Sequence, residues 1–68
     1  MFNGAKLGEY LREHGMSNVA LAKKLGVSEG AVRHIIVGIK QPSLAMACEL
    51  AELMECKVDD LLIRDGAK

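Results

Sequence analysis

The sequence predicts an all-α fold: a compact bundle of five short helices in a single domain covering residues 1–68. Three observations lead there. Apolar residues recur at three- and four-residue spacing in successive short segments, which is the helical period. Ser17, Ser28 and Ser43 each stand just before such a segment, and Gly15, Gly26 and Gly38 each stand just after one, as helix start and stop signals require. Half of the residues are hydrophobic but only 3% are aromatic, so Leu, Val, Ile, Met and Ala must fill the core. That mixture suits helices packed on helices and disfavours a β-sandwich. A chain of 68 residues buries only ~60% of its unfolded surface, so the core must be tight. It leaves no room for a sizeable substrate pocket, which argues against an enzyme.

The first helix is predicted from about Ala5 to His14, with Leu7, Tyr10, Leu11 and His14 on one side and Gly15 as its left-handed terminator. Ser17 caps a second helix that runs to Lys24 or Leu25, with Val19, Leu21, Ala22 and Leu25 as its apolar side and Gly26 closing it. Ser28 caps a third from Glu29 to about Val37, and Glu29 in its first turn complements the helix dipole. Gly38 to Pro42 reads as a loop, because the residue before proline resists the α region. Ser43 caps a fourth helix from Leu44 to about Met54, with a stripe of Leu44, Ala47, Cys48, Ala51 and Met54. Leu50 and Leu53 widen that stripe, so this helix is expected at the centre. A short last helix is placed around Asp59–Ile63. The domain core is thus expected over about 5–63, with 64–68 as a frayed tail.

The segment Asn18–Val37 carries what a helix-turn-helix needs. Ala22 is small where two helices meet closely. Gly26, four residues on, permits a turn conformation that strains other residues. Val32 and Ile35 anchor the third helix, which leaves its other face free to enter a major groove. One such position means little, but the spaced set with a serine before each helix is a strong signal.

From Leu7 to Leu62, over four-fifths of its length, the chain resembles the phage repressor and Cro-like (XRE) helix-turn-helix family, whose fold is the lambda-repressor-like five-helix bundle. The matching residues are Leu21-Ala22-x-x-Leu25-Gly26-Val27-Ser28, then Val32, Gly38 and Pro42-Ser43-Leu44. Leu50-Ala51-Glu52-Leu53 and Val58-Asp59-Asp60-Leu61-Leu62 continue the pattern. The resemblance implies a sequence-specific transcriptional regulator of repressor type that binds a pseudo-palindromic operator in double-stranded DNA as a homodimer. It implies base reading by Glu29, Gly30, Arg33 and His34. Arg33 suits a guanine edge or a phosphate, Glu29 a cytosine amine, His34 a purine N7 or a phosphate, and Gly30 a close backbone approach. Phosphate contacts would come from Ser17, Asn18, Ser28, Lys40, Gln41 and Ser43, at helix starts and in the loop after the third helix. Each serine is equally well explained as a helix cap. The dimer surface is expected at Val58, Leu61, Leu62 and Ile63, of which Val58 and Leu61 also suit the core.

Three departures from the family pattern stand out. A buried Arg of the first helix and its Glu partner late in the third are replaced by Leu11 and Ile36, which predicts that these two meet. Val37 and Ile39 are apolar where polar or basic residues near phosphate are usual, which weakens the electrostatic grip. Glu55 stands where a terminating glycine is usual, so the fourth helix is expected to end less sharply.

Net charge is zero, yet it is unevenly spread. Residues 1–40 hold six basic side chains and three acidic ones, net +3; residues 41–68 hold three and six, net −3. A basic face for phosphate and an acidic face turned away would follow. Cys48 and Cys56 lie among core-spaced residues, as buried reduced thiols of a cytoplasmic protein would. Cys48, Glu52 and Cys56 share a helix face without a histidine nearby, so no metal or other cofactor is expected. One lysine in the first eleven residues and no long apolar run predict neither a secretory leader nor a membrane span. Met16, Met46 and Met54 are expected as core fillers or scattered surface residues, and Tyr10 as a ring on the core with its hydroxyl in water. The competing reading is a protein-interaction module, or an antitoxin-like regulator, that uses the same fold with weak DNA affinity.

Overall fold

The computed structural model describes residues 1–63 and contains four α-helices: α1 (Gly4–Glu13), α2 (Asn18–Leu25), α3 (Glu29–Val37) and α4 (Leu44–Leu53). The expected fifth helix is a single 3₁₀ turn, Val58–Leu61, so the bundle has four helices and a closing turn. Only four residues separate the Lys57 cap from the extended Leu62, too few for an α-helical hydrogen-bond ladder to propagate. The predicted tail, 64–68, lies outside the described residues.

The serine and glycine signals act where the sequence places them. Ser17, Ser28 and Ser43 are extended N-caps whose hydroxyl oxygens accept from the backbone N–H of Ala20, Ala31 and Met46, each at 3.1 Å. Gly26 and Gly38 close α2 and α3 in the left-handed conformation, at φ +75° and +88°. Asn3, not expected in this role, caps α1 by accepting from Lys6 N–H.

The end of α4 differs from expectation. Glu55 takes the left-handed conformation itself, at φ +56°, while its N–H donates to Glu52 O and that of Cys56 donates to Ala51 O. The helix therefore ends as sharply as it would at glycine, because those hydrogen bonds outweigh a local strain of ~1–2 kcal/mol. Glu55→Gly is expected to stabilise the domain by about 0.5–1 kcal/mol, part of the relief being offset by glycine's freedom in the unfolded chain. Urea denaturation measures it; an unchanged midpoint would mean that Glu55 is not strained.

The core consists of Phe2, Leu7, Leu11, Leu21, Ala22, Val32, Ile35, Ala47, Leu50, Ala51 and Leu61. Met16, Met46 and Met54 are half-buried against it, as fillers. Leu11 and Ile36 both join this cluster, with the Ile36 side chain lying over Gly8. Three apolar side chains expected inside are outside. Leu44 is 76% exposed, Val19 is 45% exposed, and Cys48 is exposed. At 100° per residue, Leu44 and Cys48 lie about 120° and 160° round α4 from the fully buried Leu50, and Val19 lies about 160° round α2 from Leu21. Both cysteines are free thiols, and Cys56 is half-buried.

The helix with two close partners is α3, not α4. It packs on α1 and on α2, while α4 holds the closing turn, which also touches α1. Small residues decide this: Gly4 and Gly8 let α1 approach α3, and Ala22 is buried on α2. The core also begins earlier than expected, because Phe2 is buried. Met1–Asn3 pairs antiparallel with Leu61–Ile63: Asn3 N–H donates to Leu61 O and Ile63 N–H to Met1 O, each at 2.6 Å, around a Phe2–Leu62 bridge. Tyr10 differs as well. Its hydroxyl is not free in water but donates to Leu53 O at 3.1 Å, satisfying a carbonyl at the end of α4, and His14 stacks on its ring. Among the described residues no helix is long and apolar enough to cross a membrane, and no three His, Cys, Asp or Glu side chains gather into a metal-holding group.

Candidate nucleic-acid interface

The backbone from α2 to α3 turns within three residues. Gly26 reverses the chain, Val27 N–H returns to Ala22 O at 3.0 Å, and Ser28 starts α3 at once. Val32 and Ile35 are buried on the inner side of α3 and fix its rotation. The outer side then follows from helical spacing. Gly30, Arg33, His34 and Val37 fall in one row at i, i+3, i+4 and i+7, and Arg33, His34 and Val37 are exposed. Glu29 is exposed in the first turn, to one side of that row. The four residues expected to read bases therefore lie on the free side of α3. Val37 extends the same row with an apolar side chain.

The expected phosphate contacts fall at three helix starts and one loop. Each serine hydroxyl spends an oxygen lone pair on its cap, which leaves the O–H proton to donate outward. Capping and anion contact are thus compatible at Ser17, Ser28 and Ser43. Asn18 is half-buried in the first turn of α2, and Lys40 is exposed. The loop after α3 is folded back on it, since the N–H groups of Ile39 and Lys40 both donate to His34 O, at 2.9 and 3.2 Å. Gln41 is exposed too, but its Oε1 accepts from the backbone N–H of Phe2 at 2.7 Å. No local pattern signals that bond, because its partners are 39 residues apart.

The expected dimer surface is redrawn. Leu61 has no exposed surface, because the closing turn tucks it against α1 and α4, so it belongs to the core and to no interface. Val58 is half-buried on the core cluster. Leu62 and Ile63 remain 40% and 42% exposed. Ile39 and Val37, at 73% and 60%, are more exposed than either.

A family model described as helix-turn-helix matches residues 7–61. An uncharacterized HTH-type transcriptional regulator of Archaeoglobus fulgidus is 32% identical over 60 residues, which cover 88% of this chain and 86% of that protein. Another uncharacterized HTH-type transcriptional regulator, of Methanocaldococcus jannaschii, is 38% identical over 58 residues, or 85% and 88% of the two chains. No solved structure matches.

Proposed function

The chain belongs to the XRE-type helix-turn-helix family of DNA-binding transcriptional regulators, and on that footing we propose that it is a sequence-specific repressor binding a pseudo-palindromic operator as a homodimer. The observation that carries this reading is the outer row of α3, where Arg33 and His34 stand exposed beside the half-buried Gly30 while Val32 and Ile35 hold the helix from behind. Glu29, Arg33 and His34 read base edges, and Gly30 lets the backbone come close to them. Ser17, Asn18, Ser28, Lys40, Gln41 and Ser43 hold phosphates on either side, which sets the register without reading sequence. One unit of this size makes few contacts. Two copies, with recognition helices about 34 Å apart, double them and impose the symmetry of the site. Val58, Leu62 and Ile63 are the surface for that pairing, and the protein acts in the cytoplasm, with no cofactor and no chemical step of its own.

Selection from a random duplex library, followed by affinity across a salt series, tests this. A pseudo-palindromic winner with a steep salt slope is the expected result. Arg33→Ala is expected to weaken the winning site by about 10- to 100-fold and to flatten the preference at one base position in each half-site. A second reading is favoured by Val37 and Ile39, whose exposure places apolar surface beside the DNA-facing row. On that reading the domain captures a protein partner. Failure to enrich any duplex, or binding indifferent to Arg33, would replace the first reading with the second.

A further inference from the structure

We propose that Gln41 is a two-sided positioning residue: its Oε1 ties the loop after α3 to the N-terminal segment, and its Nε2 is thereby aimed outward as a phosphate donor. The proposal rests on the DNA-binding reading above. Phe2 N–H is a donor only, so the amide end facing it at 2.7 Å must be the carbonyl oxygen. The plane of the amide then directs Nε2 away from Phe2, and it sits on an exposed side chain between Lys40 and Pro42.

The bond is available because of how the termini pair. Phe2 and Leu62 face one another between two cross-strand bonds, Asn3 to Leu61 and Ile63 to Met1. In such an antiparallel pair the middle residue's N–H points away from its partner strand. The N–H of Phe2 is therefore turned out of the ribbon, and Gln41 takes it. The buried Phe2 ring holds the donor in place. Three parts of the chain that are distant in sequence are thus joined: the N-terminal segment, the segment ending at Ile63, and the loop bearing Lys40. The loop is held at Gly38, Ile39 and Lys40 by backbone bonds to α3 and, one residue on, at Gln41 by Phe2. Lys40 is thus fixed on both sides, so its charge is presented to phosphate at a smaller entropic cost.

Two pairs of variants separate the latch from the donor. Phe2→Ala and Phe2→Pro both lose the ring, but only proline loses the N–H. Gln41→Glu keeps an acceptor for Phe2 N–H and loses the outward donor, whereas Gln41→Met loses both. Without DNA, the Phe2 amide is expected to exchange slowly in the parent and in Gln41→Glu, and about five-fold faster in Gln41→Met, the scale of one ordinary hydrogen bond. On the enriched duplex, Phe2→Pro is expected to bind about five-fold more weakly than Phe2→Ala at temperatures where both are folded. Its log–log salt slope should be shallower by about one unit as Lys40 disengages. Gln41→Glu is expected to lose at least ten-fold, through repulsion of phosphate with the latch intact. Equal binding by the two Phe2 variants, or a Phe2 amide that exchanges alike in the parent and in Gln41→Met, would overturn the latch. A parent protein that enriches no duplex overturns the phosphate half alone, since amide exchange still reads the latch without DNA.

Discussion

Gly4→Ala is expected to destabilise the domain by ~3 kcal/mol, the upper range for forcing an added methyl into a packed contact. A Cβ at this position would stand 2.5 Å from Ile36 O and closer still to Ile35 O. Both obstacles are backbone, so no side-chain rotation relieves the clash; α1 and α3 must separate. A domain of 68 residues has a total stability of about 3–10 kcal/mol, so the loss takes a large share of it. The expected fall in Tm is about 12–24 °C, followed by circular dichroism. The contrasting variant is Gly8→Ala, one turn along the same face. Its Cβ would meet only the Cγ2 of Ile36, at 3.3 Å, which is the end of a movable side chain. The gain in helix propensity, ~1 kcal/mol, then offsets the crowding and leaves stability close to unchanged. If Gly4→Ala melted within a few degrees of the parent, the close crossing of α1 and α3 would be wrong.

Leu21→Ala is expected to cost about 2–5 kcal/mol, the range for truncating a fully buried leucine. Leu21 has no exposed surface and lies on α2, which packs on α3. The cavity therefore opens behind the exposed outer row of α3. Loss of stability and loss of duplex affinity should appear together, in contrast to Arg33→Ala, where only affinity changes. Val19→Ala, on the exposed side of the same helix, should stay within about 0.5 kcal/mol of the parent. Guanidinium denaturation of the three variants separates these outcomes. Equal stability for Leu21→Ala and Val19→Ala would mean that α2 does not turn its Leu21 side into the core.

Helix starts and stops were the most legible features, because a cap acts within three or four residues of itself. Ser17, Ser28 and Ser43 each bond a backbone N–H three residues on, and that reach is written in local sequence. The face of α3 was legible for the same reason, since burying Val32 and Ile35 leaves Arg33 and His34 outside at fixed angles. Apolar character was a poorer guide to burial. Val19, Leu44 and Cys48 are apolar or nearly so, yet nothing in their own segments says that the neighbouring helices lie elsewhere. Glu55 misled in the other direction, because a non-glycine residue accepted the left-handed conformation when the surrounding bonds required it.

By itself, the sequence determined the four α-helices, the serine caps of three of them, the turn at Gly26 and the row of side chains exposed on the outer side of α3. These depend on interactions that span a few residues, so residue type and spacing suffice to specify them. Only the tertiary structure decided that Phe2 belongs to the core, that Leu61 is lost to any interface, that Tyr10 bonds the end of α4, and that Gln41 ties the loop after α3 to the N-terminal segment. Each of these joins residues dozens of positions apart. Such a contact is set by which helices meet and how closely, and here that was settled by small residues at Gly4, Gly8 and Ala22, where a side chain of one methyl or none lets two helices approach.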